Sequence, residues 1–296
     1  KLAWLLFAGR HRYDAIHVHI AHNMGAVAAL MGRLLGKPVV VKFSGWWELE
    51  KGCLRPRGGP GAALARGMLR QATAIQAISR RIARDLQAVG FDAARVHWLP
   101  NGVSTERFEA INRPAQGNRP STVVFVGRLV PEKGLDALIA AWAKARRPGW
   151  RLRLVGSGDL AEALLRQAEA LGVSDSVELP GPSDAVEDEL ARADIGVLPS
   201  RFEGLSNTLL EYMAAGLPVI ATRISGSEDL VIPARSGWLC EVDDVDGFAA
   251  ALGEAMGLAP AALQALGARG RADVLAKASV PAVLAQLLPL YSGGAR

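Results

Sequence analysis

The chain has 296 residues, half of them hydrophobic, with 34 Lys/Arg against 29 Asp/Glu. That length accommodates two domains of ordinary size, and that composition excludes global disorder. Residues 1–117 hold 17 Lys/Arg and 7 Asp/Glu and the remainder 17 and 22; the basic half suits a phosphate-bearing ligand or an anionic lipid surface, and without a Lys/Arg block or many Tyr and Phe it does not read as a nucleic-acid binder.

Taken in chain order, residues 2–9 are apolar but far short of the roughly 20 residues that span a bilayer, and they lack a signal-peptide cleavage pattern. A strand over 15–20 precedes a helix over 24–35, closed by Gly36 with Pro38 beyond. Residues 39–43 read as strand, 62–71 as helix, 74–78 as strand and 80–89 as helix ending at Gly90. The strand 96–99 runs into Pro100-Asn-Gly-Val103. The segment 112–120, rich in Pro, Gly, Asn and Gln, is the linker candidate. A second series follows: strand 122–126, helix 135–146, strand 151–155, helix 160–171, strand 176–179, helix 185–191, strand 195–198, helix 207–215, strand 219–222. Amphipathic, Ala/Leu-rich helices occupy 248–291. Strand–helix alternation predicts parallel sheets covered by helices, and two series predict two doubly wound α/β domains whose ligands bind at the carboxyl ends of the strands. Cys53 and Cys240 are far apart, without ligand spacing, and read as reduced thiols of a cytosolic protein.

Three segments carry chemistry. In Val126-Gly-Arg-Leu-Val-Pro-Glu-Lys-Gly134, Gly127 ends a strand and permits close approach of a ligand, while Arg128 and Lys133 suit a diphosphate. Val155-Gly-Ser-Gly158 is a tight strand-to-helix turn containing Gly156; it lacks the third glycine and the placed acid of a dinucleotide fingerprint. In Phe202-Glu-Gly-Leu-Ser-Asn-Thr-Leu-Leu-Glu211, two carboxylates flank a helix N-terminus whose free N–H groups, at Ser206, Asn207 and Thr208, suit a phosphate. Carboxylates accept hydrogen bonds from vicinal hydroxyls, so Glu203 and Glu211 suit a ligand with sugars at both ends and phosphates between. The bland alternatives are a solvated basic pair and a capping Glu203. Asp243-Asp-Val-Asp246 reads as a polar turn, and no metal-holding loop is found at a strand end.

In this order the segments resemble the retaining glycosyltransferases of family 4. The matching residues are Gly127-Arg128 with Lys133-Gly134, Val155-Gly-Ser-Gly158, Val177-Glu-Leu-Pro-Gly181, and Glu203 and Glu211 with Gly216-Leu-Pro-Val219; Pro100-Asn-Gly-Val103 is similar to the family's hinge-side signature. The resemblance implies the GT-B architecture: two Rossmann-like parallel-sheet domains facing a cleft. Here they would be an incomplete N-terminal acceptor-side domain over 1–117, a nucleotide-sugar domain over 118–278, and a terminal helix over 279–296 packing back on the first. It implies that Arg128 and Lys133 neutralise the diphosphate of a UDP- or GDP-sugar. Glu203 would hold the transferred hexose, Glu211 the ribose, Gly204, Leu205, Ser206, Asn207 and Thr208 would supply backbone contacts, and Gly181 would lie beside the base. The nucleotide-sugar is a co-substrate, and neither cofactor nor metal is expected.

Two departures stand out. The family's N-terminal glycine-rich loop is not present, so about 70–100 residues of a doubly wound domain are expected to be missing. Where many members carry a sugar-contacting His after the strand 39–43, this chain has Ser44-Gly-Trp-Trp-Glu48. Acceptor-side candidates are therefore His19, Ser44, Glu48 and Asn101, with Trp46 and Trp47 suited either to stacking on a sugar or to covering the core. His17 and His19 are read as facing opposite sides of their strand. Arg66, Arg70, Arg80, Arg81 and Arg84 form either a solvated helical face or one suited to anionic membrane. The expected activity is transfer of a hexose to a glycan, lipid-linked or small-molecule acceptor, in the cytoplasm and peripherally at the inner membrane face. A sugar-nucleotide epimerase and a non-catalytic nucleotide-sugar-binding fragment remain as alternatives.

Overall fold

The computed structural model describes residues 1–45, 59–109, 111 and 120–292. Trp46, Trp47, Glu48, Cys53 and most of the linker candidate lie outside the described residues. The chain forms two compact units: Lys1–Gly102 with Glu203–Leu205 and Val280–Arg296, and Val103–Phe202 with Ser206–Ser279.

The first unit is built on a parallel sheet of β1 (Ile16–Val18), β2 (Val39–Phe43), β3 (Ala74–Ala77) and β4 (Val96–Trp98), side by side in that order. β2 lies inside the sheet with both faces covered, which is why it reads as a nearly continuous apolar run: Val39, Val40, Val41 and Phe43 are at most 1% exposed. Its helices are α1 (Leu2–Ala8), α2 (Asn23–Leu35), α3 (Pro60–Leu69) and α4 (Arg80–Ala88). α2 stops at Gly36, which takes the left-handed conformation at φ 65°. α4 starts at Ser79, whose hydroxyl accepts from the Ile82 amide at 3.1 Å, and it turns Ile82 and Leu86 inward. The C-terminal α12 (Val280–Leu287) belongs to this unit, packing Val283 and Leu287 with Val40, Ala74 and Leu99.

The second unit contains β5 (Ser121–Val126), β6 (Trp150–Val155), β7 (Val177–Gly181), β8 (Ile195–Leu198), β9 (Val219–Thr222) and β10 (Gly237–Cys240). All pair in parallel, in the spatial order β10-β9-β8-β5-β6-β7. The strand order reverses at β5: β6 and β7 extend to one side, β8 to β10 to the other. The seam between β5 and β8 is thus the topological switch point, beyond whose carboxyl strand ends doubly wound sheets bind their ligands. The covering helices are α5 (Leu135–Ala145), α6 (Ala161–Ala170), α7 (Val186–Ala191), α8 (Asn207–Ala214), α9 (Ser227–Leu230), α10 (Val245–Gly257) and α11 (Pro260–Ala278). Phe125, Leu138 and Trp142 anchor the core, and the buried Trp142 indole donates to Ser176 Oγ at 3.1 Å. The helical region expected over 248–291 is divided at Pro260, which opens α11, and again at Ser279. No single helix among the described residues is long and apolar enough to cross a membrane.

Candidate functional site

The carboxyl edge of the second sheet carries a row of glycines. Gly127 follows β5 and donates its amide to Val155 O at 2.9 Å; Gly156 follows β6 and donates to Gly181 O, also at 2.9 Å. At its centre no larger residue fits: a Cβ at Gly156, where φ is 149°, would lie 1.8 Å from Gly127 O. Bare backbone therefore lines the edge of three adjacent strands, where a planar or phosphorylated ligand can come close.

Arg128 and Lys133 leave this edge on one loop. Arg128 is exposed, and among the described residues no hydrogen bond or ion pair holds it. Leu129 fastens the loop behind it: the side chain is buried, its amide donates to Ser157 O at 2.8 Å, and its carbonyl accepts from the Leu160 amide at 3.1 Å. The loop then tightens into a single 3-10 turn over Pro131–Lys133 and ends at Gly134. Gly134 takes the left-handed conformation, φ 63°, and a Cβ there would meet Pro199 O at 2.2 Å, so this loop is pressed against the one that follows β8.

That second loop leads into α8. Ser206 occupies the N-cap position without a side-chain cap bond, at the end of the helix where the backbone amides carry partial positive charge. One turn later, Tyr212 is fully buried, and its hydroxyl accepts from the Val126 amide at 2.6 Å, fixing α8 against the end of β5. Glu211, partly buried on the same helix, faces Arg107, whose Nη1 is 3.8 Å from Glu211 Oε1 and whose Nε donates to Glu187 at 2.6 Å. Burial raises the Glu211 pKa above the usual carboxylate value; the Arg107 charge opposes this and that of Glu187 adds to it. Thus Gly127, Arg128, Lys133, Gly156, Gly181, Ser206, Asn207, Thr208 and Glu211 all belong to one unit and to the carboxyl side of its sheet.

The remaining candidates belong to the first unit. Glu203, Gly204 and Leu205 fall there, and a Cβ at Gly204 would lie 2.2 Å from Ser44 O, so Ser44 and Gly204 are close neighbours. Asn101 is half-buried after β4. His17 and His19 do not face opposite sides. β1 ends at Val18, and residues two apart on an extended chain share a face; the two imidazoles stack with centroids 4.4 Å apart and planes at 11°. His17 Nδ1 is hydrogen-bonded to Tyr291 Oη while its Nε2 is buried without a partner, and His19 remains exposed. Burial, then the charges of His19 and Lys42, lower the His17 pKa to about 4. Of the five arginines read as one basic face, Arg66 is on α3, Arg70 directly follows it, and Arg80, Arg81 and Arg84 are on α4. Arg70 is tied by Nη2 to Val89 O at 2.6 Å, and Arg80 lies over the Trp98 ring at 4.4 Å.

Arg107, Glu187 and Arg201 escape a reading of the sequence. Their partners lie 80, 65 and 42 residues away, and only the fold brings them together. Among the described residues, no three His, Cys, Asp or Glu side chains converge as metal ligands.

Residues 2–107 match the profile of Glycosyltransferase Family 4, and residues 120–257 that of Glycosyl transferases group 1. The chain is 36% identical over 207 residues to a GDP-mannose-dependent α-(1-6)-phosphatidylinositol monomannoside mannosyltransferase of Mycolicibacterium smegmatis, an alignment covering 64% of this chain and 53% of that protein. It is 38% identical over 209 residues to the exopolysaccharide phosphotransferase SCO2592 of Streptomyces coelicolor, covering 68% of this chain and 21% of that protein. The chain thus spans about half, or less, of the length of these relatives. Its fold is that of the Anabaena protein Alr3699/HepE, solved in complex with UDP, with a TM-score of 0.85 at 20% identity over 98% of this chain and 81% of that one.

Proposed function

The chain belongs to the family-4 glycosyltransferases of GT-B fold, and from that premise we propose that it moves a hexose from a UDP- or GDP-sugar to a glycan or lipid-linked acceptor. The observation that carries this reading is the glycine row of Gly127, Gly156 and Gly181, bordered by the Arg128–Lys133 loop and the uncapped start of α8. Bare backbone admits the nucleotide, the cations and helix amides take its diphosphate, and Glu211 accepts from the ribose hydroxyls. Glu203, on the loop entering α8, is given the hydroxyls of the transferred hexose.

In the reaction the bond from the anomeric carbon to the phosphate oxygen breaks and one to the acceptor oxygen forms. Negative charge grows on the departing diphosphate, and Arg128, Lys133 and the α8 amides are the groups given the task of stabilising it. These groups perform the neutralising work that a divalent ion does elsewhere, so the reading is metal-independent. Attack on the leaving group's own face retains the anomeric configuration, and the departing phosphate oxygen takes the acceptor's proton.

The name of the mycolicibacterial relative describes a lipid acceptor. A lipid-linked acceptor suits this chain because α1 exposes Trp4, Leu5 and Phe7 beside Arg10 and Arg12. The reading places the enzyme peripherally at the cytoplasmic face of the cell membrane. Release of UDP or GDP from nucleotide-hexoses, measured with and without acceptor lipid or glycan and in the presence of a chelator, tests the proposal. Acceptor-dependent, chelator-resistant release supports it. Acceptor-independent conversion of the sugar supports an epimerase instead, and absence of both with intact binding supports a binding protein.

A further inference from the structure

Arg201 follows Ser200 on the loop between β8 and α8, and all three of its guanidinium nitrogens are hydrogen-bonded. Its Nε donates to Asp243 Oδ1 at 2.7 Å, its Nη2 to Asp136 Oδ2 at 2.8 Å and its Nη1 to Pro131 O at 2.7 Å. Its backbone amide also donates to Glu132 O at 2.8 Å. Three of these four bonds fall on residues 131–136, the stretch that contains Lys133 and opens α5. The rigid fork of a guanidinium can serve three acceptors in different directions at once; an ammonium on a flexible stem cannot hold the same set.

Two neighbouring observations show that this clasp is built into the backbone. Gly134 is pressed so closely on Pro199 O that no side chain fits, which brings the two loops into contact one turn from the guanidinium. Asp243, a non-glycine residue, takes the left-handed conformation at φ 59° where it meets Arg201. Burial works against the charged form of Asp136, yet its bond to Arg201 holds the carboxyl below its ordinary pKa.

We infer that Arg201 is a positioning residue for diphosphate binding: it fixes the Pro131–Lys133 turn against the loop entering α8, so that Lys133 and the α8 amides keep one mutual arrangement before the ligand arrives. This rests on the assignment of that turn to the donor diphosphate. A part of the diphosphate affinity then depends on a side chain that does not itself meet the ligand.

The test is a double-mutant cycle on the whole chain, titrating UDP and GDP beside uridine and guanosine by calorimetry. For the nucleotide that binds, Arg201→Ala weakens the diphosphate about tenfold, leaves the nucleoside unchanged, and adds little when combined with Lys133→Ala, because both changes disable one loop. Arg201→Lys recovers only part of the affinity. Asp136→Asn, which removes a single acceptor, weakens binding in the same direction and keeps the test open should Arg201→Ala fold poorly. Weakened binding in Lys133→Ala with unaltered affinity in Arg201→Ala and Asp136→Asn overturns the role of Arg201 alone. Additive losses in the double variant, or equal losses for nucleoside and diphosphate, reduce Arg201 to a fold-stabilising residue and overturn it as well. Unaltered UDP and GDP affinity in Lys133→Ala overturns the diphosphate assignment and the positioning role with it.

Discussion

Arg107 stands with Nη1 3.8 Å from Glu211 Oε1 while its Nε is engaged by Glu187 at 2.6 Å. The guanidinium is therefore shared between two carboxylates, and the longer contact is the one to the proposed ribose ligand. Burial raises the Glu211 pKa, and Arg107 is the group that limits the rise. A ribose hydroxyl needs the ionised carboxylate as acceptor, so nucleotide affinity is predicted to fall as pH drops through the raised Glu211 pKa. In Arg107→Ala that midpoint moves to higher pH. Calorimetric UDP and GDP titrations across the acidic range read it directly; an identical midpoint in both proteins contradicts the coupling. The folding linkage has the same origin: a carboxyl with a raised folded-state pKa loses stabilising effect as pH rises through that pKa, and losing Arg107 enlarges the loss.

The glycine row predicts a sharp contrast between two Gly→Ala changes. At Gly156 the new Cβ would lie 1.8 Å from Gly127 O with φ at 149°. This is predicted to cost about 3 kcal/mol or more, as backbone strain and a steric clash combine. At Gly253, inside α10, nothing lies within 4 Å of the added Cβ; the change is predicted to be neutral or to stabilise by about 0.5–1 kcal/mol, the usual helical preference for alanine. Thermal or denaturant unfolding measures both, and equal effects contradict the account of the sheet edge.

Tyr212 links α8 to β5 by accepting a hydrogen bond of 2.6 Å from the Val126 amide. Tyr212→Phe leaves that amide without its partner and is predicted to destabilise by about 1–3 kcal/mol. Because the bond joins the helix of Glu211 to the strand of Gly127, nucleotide affinity is also predicted to fall. Unchanged stability in chemical unfolding contradicts it.

His17 gives the first unit its own pH dependence. Its folded pKa is lowered from 6.5 to about 4, chiefly by burial, with the charges of His19 and Lys42 adding. A histidine depressed in the native state contributes stability above its unfolded pKa and loses it as pH falls toward the folded one. The melting temperature is therefore predicted to drop between pH 6.5 and 4 by less in His17→Gln than in the native chain. Parallel curves contradict the assignment.

Much of this architecture is legible in the sequence because parallel strands covered on both faces appear as short apolar runs, as at Val39–Phe43 and Val123-Val-Phe125. Gly127 is legible too, since it follows such a run; Gly156 and Gly181 end strands of mixed polarity, Arg151-Leu-Arg-Leu-Val155 and Val177-Glu-Leu-Pro180. Three features are not. The shared face of His17 and His19 follows from the two-residue period of an extended chain, which the sequence reading assigned wrongly. The Arg201 clasp and the Arg107 bridge join residues tens of positions apart, and their side chains resemble any solvated arginines until the strands pair. The grouping of Glu203–Leu205 with the first unit, away from its sequence neighbours on both sides, has no local signature at all.

The central claim is that the carboxyl edge of the second sheet binds a nucleoside diphosphate through Arg128 and Glu211. Calorimetric titration of UDP and GDP into the native chain and into Arg128→Ala/Glu211→Ala measures this most directly. The account predicts that one nucleotide binds the native chain and that the double variant loses at least about a hundredfold in affinity, since each charge-assisted contact contributes about 1.5–3 kcal/mol. No binding of either nucleotide at millimolar concentration, or equal affinity in the double variant, would contradict it.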